Sequence, residues 1–319
     1  MPLPGGRELA FDDVGDPDGT PVVHLHGTPD SRLARHPDDG LAATAGVRLL
    51  AVDRPGYGRT SPLPARPGAG DQDGAPAGRP GASAEAPDEP GATPAFGTPG
   101  FAGDIEVLLD GLGVERAAIL AWSGGALDGV AAAASPQLAG RVTALHVVAG
   151  LVPVEAYADP AVQAAGASRP ALREMGEGLP PEVLAAEVAP MLAPYPCDRA
   201  LALEHQREQR DPAEQARLAT VPGGAERMAD ALVEAVSLGL AGVEADVAAQ
   251  VRPLGVDLAQ VTAPVTLWYG TEDPVTPPAF GRWYVAHLRS AELHLVDGAG
   301  HFLPFTHWLE VLAALPPRQ

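Results

Sequence analysis

Six short, nearly unbroken apolar runs constrain this chain more than anything else in it. They are Pro21–Leu25, Val47–Val52, Ala117–Trp122, Val142–Val148, Pro264–Tyr269 and Ala291–Val296. Each has strand length, and little alternation between apolar and polar residues. A strand of that kind is buried on both faces, as in a mainly parallel sheet sandwiched between helices. Helical periodicity fills the intervals. Phe101 to Leu112 sets Ile105, Leu108, Leu109 and Leu112 on one face, with Asp104 and Glu106 near the positive end of the helix dipole and Gly113 as a stop. Ala126–Ala134 follows the third run and Pro277–Leu288 precedes the last. Strand and helix alternating in this way predict an α/β fold.

Two stretches break the rhythm. From Pro64 to Ala95, Pro, Gly and Ala supply 22 of 32 residues, with no Leu, Ile, Val, Met or aromatic residue. Such a segment cannot bury enough apolar surface to offset its ordering entropy, so 64–95 reads as a disordered loop. The second stretch, 152–259, is rich in Ala, Glu, Leu and Gln, with helical patterns at Ala200–Gln209, Ala213–Leu218 and Ala225–Leu238. It reads as a helical cap inserted between core strands, which leaves 1–151 and 260–319 as the core.

Composition narrows the classes of function. A formal net charge of −20 repels nucleic-acid backbones and anionic membranes, so neither is an expected partner. With nine His and one Cys, no thiolate metal site is expected, and Cys197 reads as an ordinary thiol with no disulfide to form. The start of the chain lacks a basic segment followed by an apolar run, and the longest apolar stretch, Ala144–Val154, is too short to span a bilayer. A cytoplasmic protein of undetermined oligomeric state is the expectation.

The sharpest chemical signal is Ala121-Trp122-Ser123-Gly124-Gly125-Ala126, between a strand and a helix. A serine on that turn is raised above the sheet edge, and the positions two before and two after it must be small. Ala121 stands where the usual pattern has Gly, a difference of one methyl group. The Gly124 N–H opens the helix and can face an oxyanion beside Ser123. His26-Gly27-Thr28-Pro29 leaves the first strand at the same edge, and the Thr28 N–H is the candidate second donor. His24 and His26 read as structural residues bonding backbone around that loop.

A serine hydroxyl needs a base. Gly298-Ala299-Gly300-His301-Phe302 follows the last strand, and its small residues let His301 lie over the sheet edge. Gly270-Thr271-Glu272-Asp273-Pro274 follows the strand before it, which makes Asp273 the candidate orienting acid. Glu272 and Asp297 are rivals; Asp297 is close enough in sequence to His301 to serve only as a brace. Taken singly, Asp273 also reads as an Asx-turn before Pro277. Trp122 and Phe302, next to the nucleophile and the base, are the candidate pocket residues.

Together with Asp53-Arg54-Pro55-Gly56-Tyr57-Gly58, these pieces resemble the α/β-hydrolase superfamily over roughly 7–63, 97–150 and 260–315. The resemblance implies a triad in the order Ser123, Asp273, His301, no cofactor and no metal, a cap-covered pocket, and a structural role for Asp53 to Gly58. The expected activity is hydrolysis of a small carboxylic ester, or a related acyl bond, through an acyl-enzyme. A cofactor-free haloperoxidase or perhydrolase would use the same triad. A proline-iminopeptidase-like activity is a further alternative, although Ala121-Trp122-Ser123-Gly124-Gly125 departs from the usual elbow of those enzymes. The non-enzymatic alternative is a ligand-binding protein on a hydrolase scaffold.

Overall fold

A computed structural model describes residues 1–64, 99–165 and 179–317. The 64–95 loop expectation falls, but for Pro64, outside the described residues.

The six apolar runs form six strands, and a seventh joins them at the edge. They are β1 (Phe11–Gly15), β2 (Thr20–Leu25), β3 (Val47–Val52), β4 (Ala117–Trp122), β5 (Val142–Val148), β6 (Val265–Gly270) and β7 (Ala291–Val296). The sheet order is β1-β3-β2-β4-β5-β6-β7. Only β1 runs antiparallel, against β3. Sequence patterning misses β1 because Phe11-Asp12-Asp13-Val14-Gly15 is polar at its centre. Its acids are neutralised by neighbours instead: Asp13 pairs with Arg48 at 2.6 Å, and Asp12 with Arg32 at 3.0 Å and Arg35 at 2.9 Å. An edge strand has one partner and one open side, so charge there is tolerated and blocks further pairing. At the other edge β7 is only half buried, which corrects the expectation of burial on both faces.

Successive residues of one strand feed two separate cores. Ile119 and Ala121 join a layer with Ile105, Leu108, Val130 and Leu267, while Ala118, Leu120 and Trp122 join a layer with Leu49, Val148 and Trp308. The two-residue period of a strand sends alternate side chains to opposite faces, which is why β4 has to be apolar throughout. Each fully buried Leu or Ile there contributes roughly 1.5–3 kcal/mol.

Between β5 and β6 the described residues form only helices, including Pro181–Leu192, Arg199–Gln209, Pro212–Ala219, Gly224–Ala235 and Ala241–Gln250. The Asp53–Gly58 turn docks them. Gly242 donates its N–H to Gly56 O at 3.0 Å, and Gly58 donates to Ala235 O at 3.0 Å. Among the described residues no helix is long and apolar enough to cross a membrane.

Candidate active site

The register puts the ends of neighbouring strands level. Leu25 lies opposite Ala121, Trp122 opposite Val148, Val148 opposite Trp268, and Gly270 opposite Val296. The turns after β2, β4, β6 and β7 therefore leave one edge of the sheet and converge there.

Ser123 takes a φ of 51°, in the left-handed region that side chains other than Gly seldom enter. Its backbone is held on both sides: the N–H donates to Val148 O at 3.1 Å, and the carbonyl accepts from Ala126 at 3.1 Å and Leu151 at 3.0 Å. A β-carbon on Gly125 would collide with the carbonyl oxygens of Leu25 and His26, so that position must be Gly. The methyl of Ala121 fits because it faces Gly129, whose own added β-carbon would lie 2.7 Å from it.

His301 Nε2 is 3.0 Å from Ser123 Oγ, and its Nδ1 is 2.9 Å from Asp273 Oδ2. With the carboxylate as acceptor, Nδ1 carries the proton and Nε2 accepts from the serine hydroxyl. Asp273 Oδ1 accepts from the N–H groups of Val275 at 2.7 Å and Thr276 at 2.9 Å, and Oδ2 also accepts from Thr276 Oγ1 at 2.6 Å. The Asx-turn and the orienting contact are thus made by one side chain, one oxygen each. Burial works against the Asp273 charge, but the His301 charge and these hydrogen bonds outweigh it and hold the carboxyl below its ordinary range. Burial likewise works against a charged His301, yet the Asp273 carboxylate and its hydrogen bond raise the imidazole above its ordinary value.

The rivals lie elsewhere. Glu272 is exposed and pairs with Arg217. Asp297 accepts from Thr271 Oγ1 at 3.3 Å within the loop. Trp122 donates Nε1–H to His301 O at 3.1 Å, and its ring stands 5.9 Å from that of Phe302. Both line a cavity of about 500 Å³ above Ser123, together with Thr28, Leu151, Met228, Leu232 and Val275.

Thr28 sits against Gly124: an added β-carbon on Gly124 would meet the Thr28 hydroxyl and lie 3.4 Å from its N. The Thr28 loop is held from below by an ionic cluster. Arg54 donates to Asp128 at 2.7 Å, to both oxygens of Asp246 at 2.8 and 2.5 Å, and to Gly27 O at 3.0 Å. Tyr57 OH donates to Asp246 at 2.6 Å, and so does Thr28 Oγ1. His26 behaves as expected of a structural residue, donating from Nδ1 to Gly27 O at 2.8 Å and accepting from Arg54 N at 3.0 Å. His24 does not: neither ring nitrogen has a partner among the described residues, and it packs edge-on to Trp308. Burial, then Arg35, pushes its imidazole down to about 3, so it stays neutral.

Sequence reasoning did not find Glu214. Its carboxylate accepts from the His301 backbone N–H at 2.8 Å and pairs with Arg217 at 2.5 Å. Gly300 leaves the room for it, since an added β-carbon there would collide with the Glu214 carboxylate. Asp211-Pro212-Ala213-Glu214 reads locally as a capping box. Asp211 does cap, accepting from Ala213 N at 2.8 Å, but Glu214 turns away to His301. Thr276, Asp30 and Arg210 were missed as well; only Thr276, inside the Asp273 turn, carried a local signal.

A strained serine on a strand-to-helix turn, hydrogen-bonded to a histidine that is itself bonded to an aspartate, both from later strand ends of a mostly parallel sheet, is the arrangement of an α/β-hydrolase. The sequence matches the family described as alpha/beta hydrolase fold over residues 20–307, and the chain belongs to that family. No curated protein matches it. Solved structures similar to it include a bromoperoxidase from Bacillus anthracis, at a TM-score of 0.60 and 16% identity over 97% of this chain and 94% of that one. A thermophilic esterase from Thermogutta terrifontis aligns at 0.57 and 20% identity, over 98% and 93% of the two chains. The enol-lactonase from Burkholderia xenovorans LB400 aligns at 0.55 and 16%, over 97% and 95%. At these identities the likeness is one of fold.

Proposed function

We propose that this hydrolase cleaves small carboxylic esters through an acyl-enzyme on Ser123, with 152–259 acting as the cap. The observation that carries the reading is the unbroken hydrogen-bonded line from Ser123 Oγ through His301 to Asp273, beneath a largely apolar cavity. Ser123 Oγ attacks the ester carbonyl carbon while its proton passes to His301 Nε2. The oxyanion accepts hydrogen bonds from the Thr28 and Gly124 N–H groups, which are fixed before the charge develops. As the intermediate collapses the C–O bond breaks, and the departing alkoxide takes the proton from Nε2. A water then attacks the acyl carbon, giving its proton to Nε2. Collapse releases the carboxylic acid and returns the proton to Ser123. Asp273 remains a carboxylate throughout, holding Nδ1–H and stabilising the imidazolium.

A fluorophosphonate probe should label the protein once, at Ser123, and Ser123→Ala should lose both the label and turnover of p-nitrophenyl butyrate while melting like the wild type. Labelling at a different serine, or ester turnover surviving in Ser123→Ala, would overturn the assignment.

A further inference from the structure

The cavity above Ser123 holds a cation that makes no direct ion pair among the described residues. Arg210 follows the helix Arg199–Gln209 and lines the cavity. Its guanidinium lies 4.7 Å from the centre of the Phe302 ring, and Nη1 donates to Gln206 Oε1 at 3.2 Å. No carboxylate among the described residues stands within ion-pair distance of it. The neighbouring arginines differ: Arg54 and Arg217 each contact two carboxylates. Arg210 also stays charged at neutral pH, although burial draws its guanidinium down to about 10 against the pull of Asp30 and Glu214.

The acids around the cavity are otherwise engaged. Glu214 is bound to Arg217 and the His301 N–H, and Asp211 caps its helix. Burial pushes Asp30 up to about 7, against the opposing pull of Arg210, His301 and Arg54. It is therefore partly protonated at neutral pH and able to donate to an anion. A half-buried guanidinium that lines the cavity with unused N–H donors is a planar cationic fork, and a carboxylate is the ligand whose shape and charge match it best.

We propose that Arg210 is an anion-recognition residue, and that the substrates are esters bearing a second, ionised carboxylate remote from the scissile bond. This rests on the acyl-enzyme reading and adds the substrate class to it. The net charge of −20 repels anions at long range, so any preference for an anionic ester must arise from a local contact.

The test compares charged and neutral esters of matched size. On the acyl side these are mono-p-nitrophenyl glutarate and its methyl ester; on the alcohol side, 4-acetoxybenzoate and its methyl ester. In at least one pair the wild type should favour the anion in kcat/KM, and Arg210→Met should lower that anionic-to-neutral ratio by about tenfold or more, as expected for a lost hydrogen bond to a charged group. Arg210→Lys should restore part of it. The arm that responds tells which side of the ester carries the carboxylate. A ratio unchanged by Arg210→Met in both pairs overturns the proposal. If no ester is turned over and no probe labels Ser123, the acyl-enzyme reading is what has failed. Calorimetric titration with glutarate then decides the site: binding by wild type lost in Arg210→Met supports it, and no binding by wild type overturns it.

Discussion

Replacing Glu214 by alanine removes the side chain that, among the described residues, crosses from the helix Pro212–Ala219 to the backbone of His301. The lost contact is a 2.8 Å hydrogen bond from a buried N–H to a carboxylate. Leaving such a donor unsatisfied costs about 1–3 kcal/mol. If all of that cost falls on the loop that holds the imidazole over Ser123, the productive arrangement is depopulated by a factor of roughly 5 to 150. Water admitted from the adjoining cavity replaces part of the bond, so a loss in kcat of about tenfold is expected, with little change in KM. Arg217 retains Glu272 and Gly298 O, so the helix itself stays anchored. Glu214→Gln is the informative companion, since it keeps an acceptor for the N–H and removes the charge. Because the Glu214 charge helps to raise the His301 imidazole, Gln should move the acid limb of the kcat/KM profile to lower pH. Stopped-flow turnover of p-nitrophenyl butyrate across pH, with thermal melts on the same samples, reads both effects. A Glu214→Ala enzyme with wild-type kcat and an unmoved limb in Glu214→Gln would refute the reasoning.

Asp273→Asn should lower kcat by on the order of 10⁴, as for a triad acid replaced by a group that favours the wrong tautomer, whereas Asp297→Asn stays near wild type; the reverse order in the same assay would reassign the acid. Turnover requires neutral His301, so kcat/KM should rise with pH along a limb centred above 6.5, while the stability supplied by the protonated His301–Asp273 pair is full below 6.5 and is lost as pH rises through the raised value. A limb centred below 6.5 contradicts this. Asp30 carries the opposite kind of linkage for a carboxyl: its value is raised to about 7, so its ionisation costs stability as pH climbs from 3.8 through 7. The melting-temperature advantage of Asp30→Asn should therefore grow between about pH 4 and 7 and level off above that, and a pH-independent difference would rule that out. Asp246→Ala strips Arg54 of one of two buried carboxylates and should destabilise the fold by about 3–5 kcal/mol in denaturant titration; a loss below about 1 kcal/mol would mean that water enters the cluster and solvates Arg54.

What this chain's sequence determines by itself is whatever local rules enforce. A strand buried on both faces must be apolar at every position, so β2 to β6 are legible without a structure. A serine turn with close backbone neighbours must be flanked by small residues, and Ala121 and Gly125 satisfy that within five residues. The sequence order of Ser123, Asp273 and His301, each after a strand, follows from the same reading, and in the folded chain the three lie within 3.0 Å hydrogen bonds of one another in series. What only the tertiary structure decided are partnerships between residues far apart in the chain. Glu214 has the local signature of a helix cap and serves His301 instead, 87 residues away. Asp246 reaches Arg54 across 192 residues, and nothing near either one announces the other. β1 is polar and pairs only because β3 presents it an open edge. Arg210 reads as one more charge at the end of a solvated helix until the fold turns it over Phe302 and into the cavity. Local sterics and burial are written residue by residue, whereas a charge acquires its partner only from the packing of elements that the sequence keeps apart.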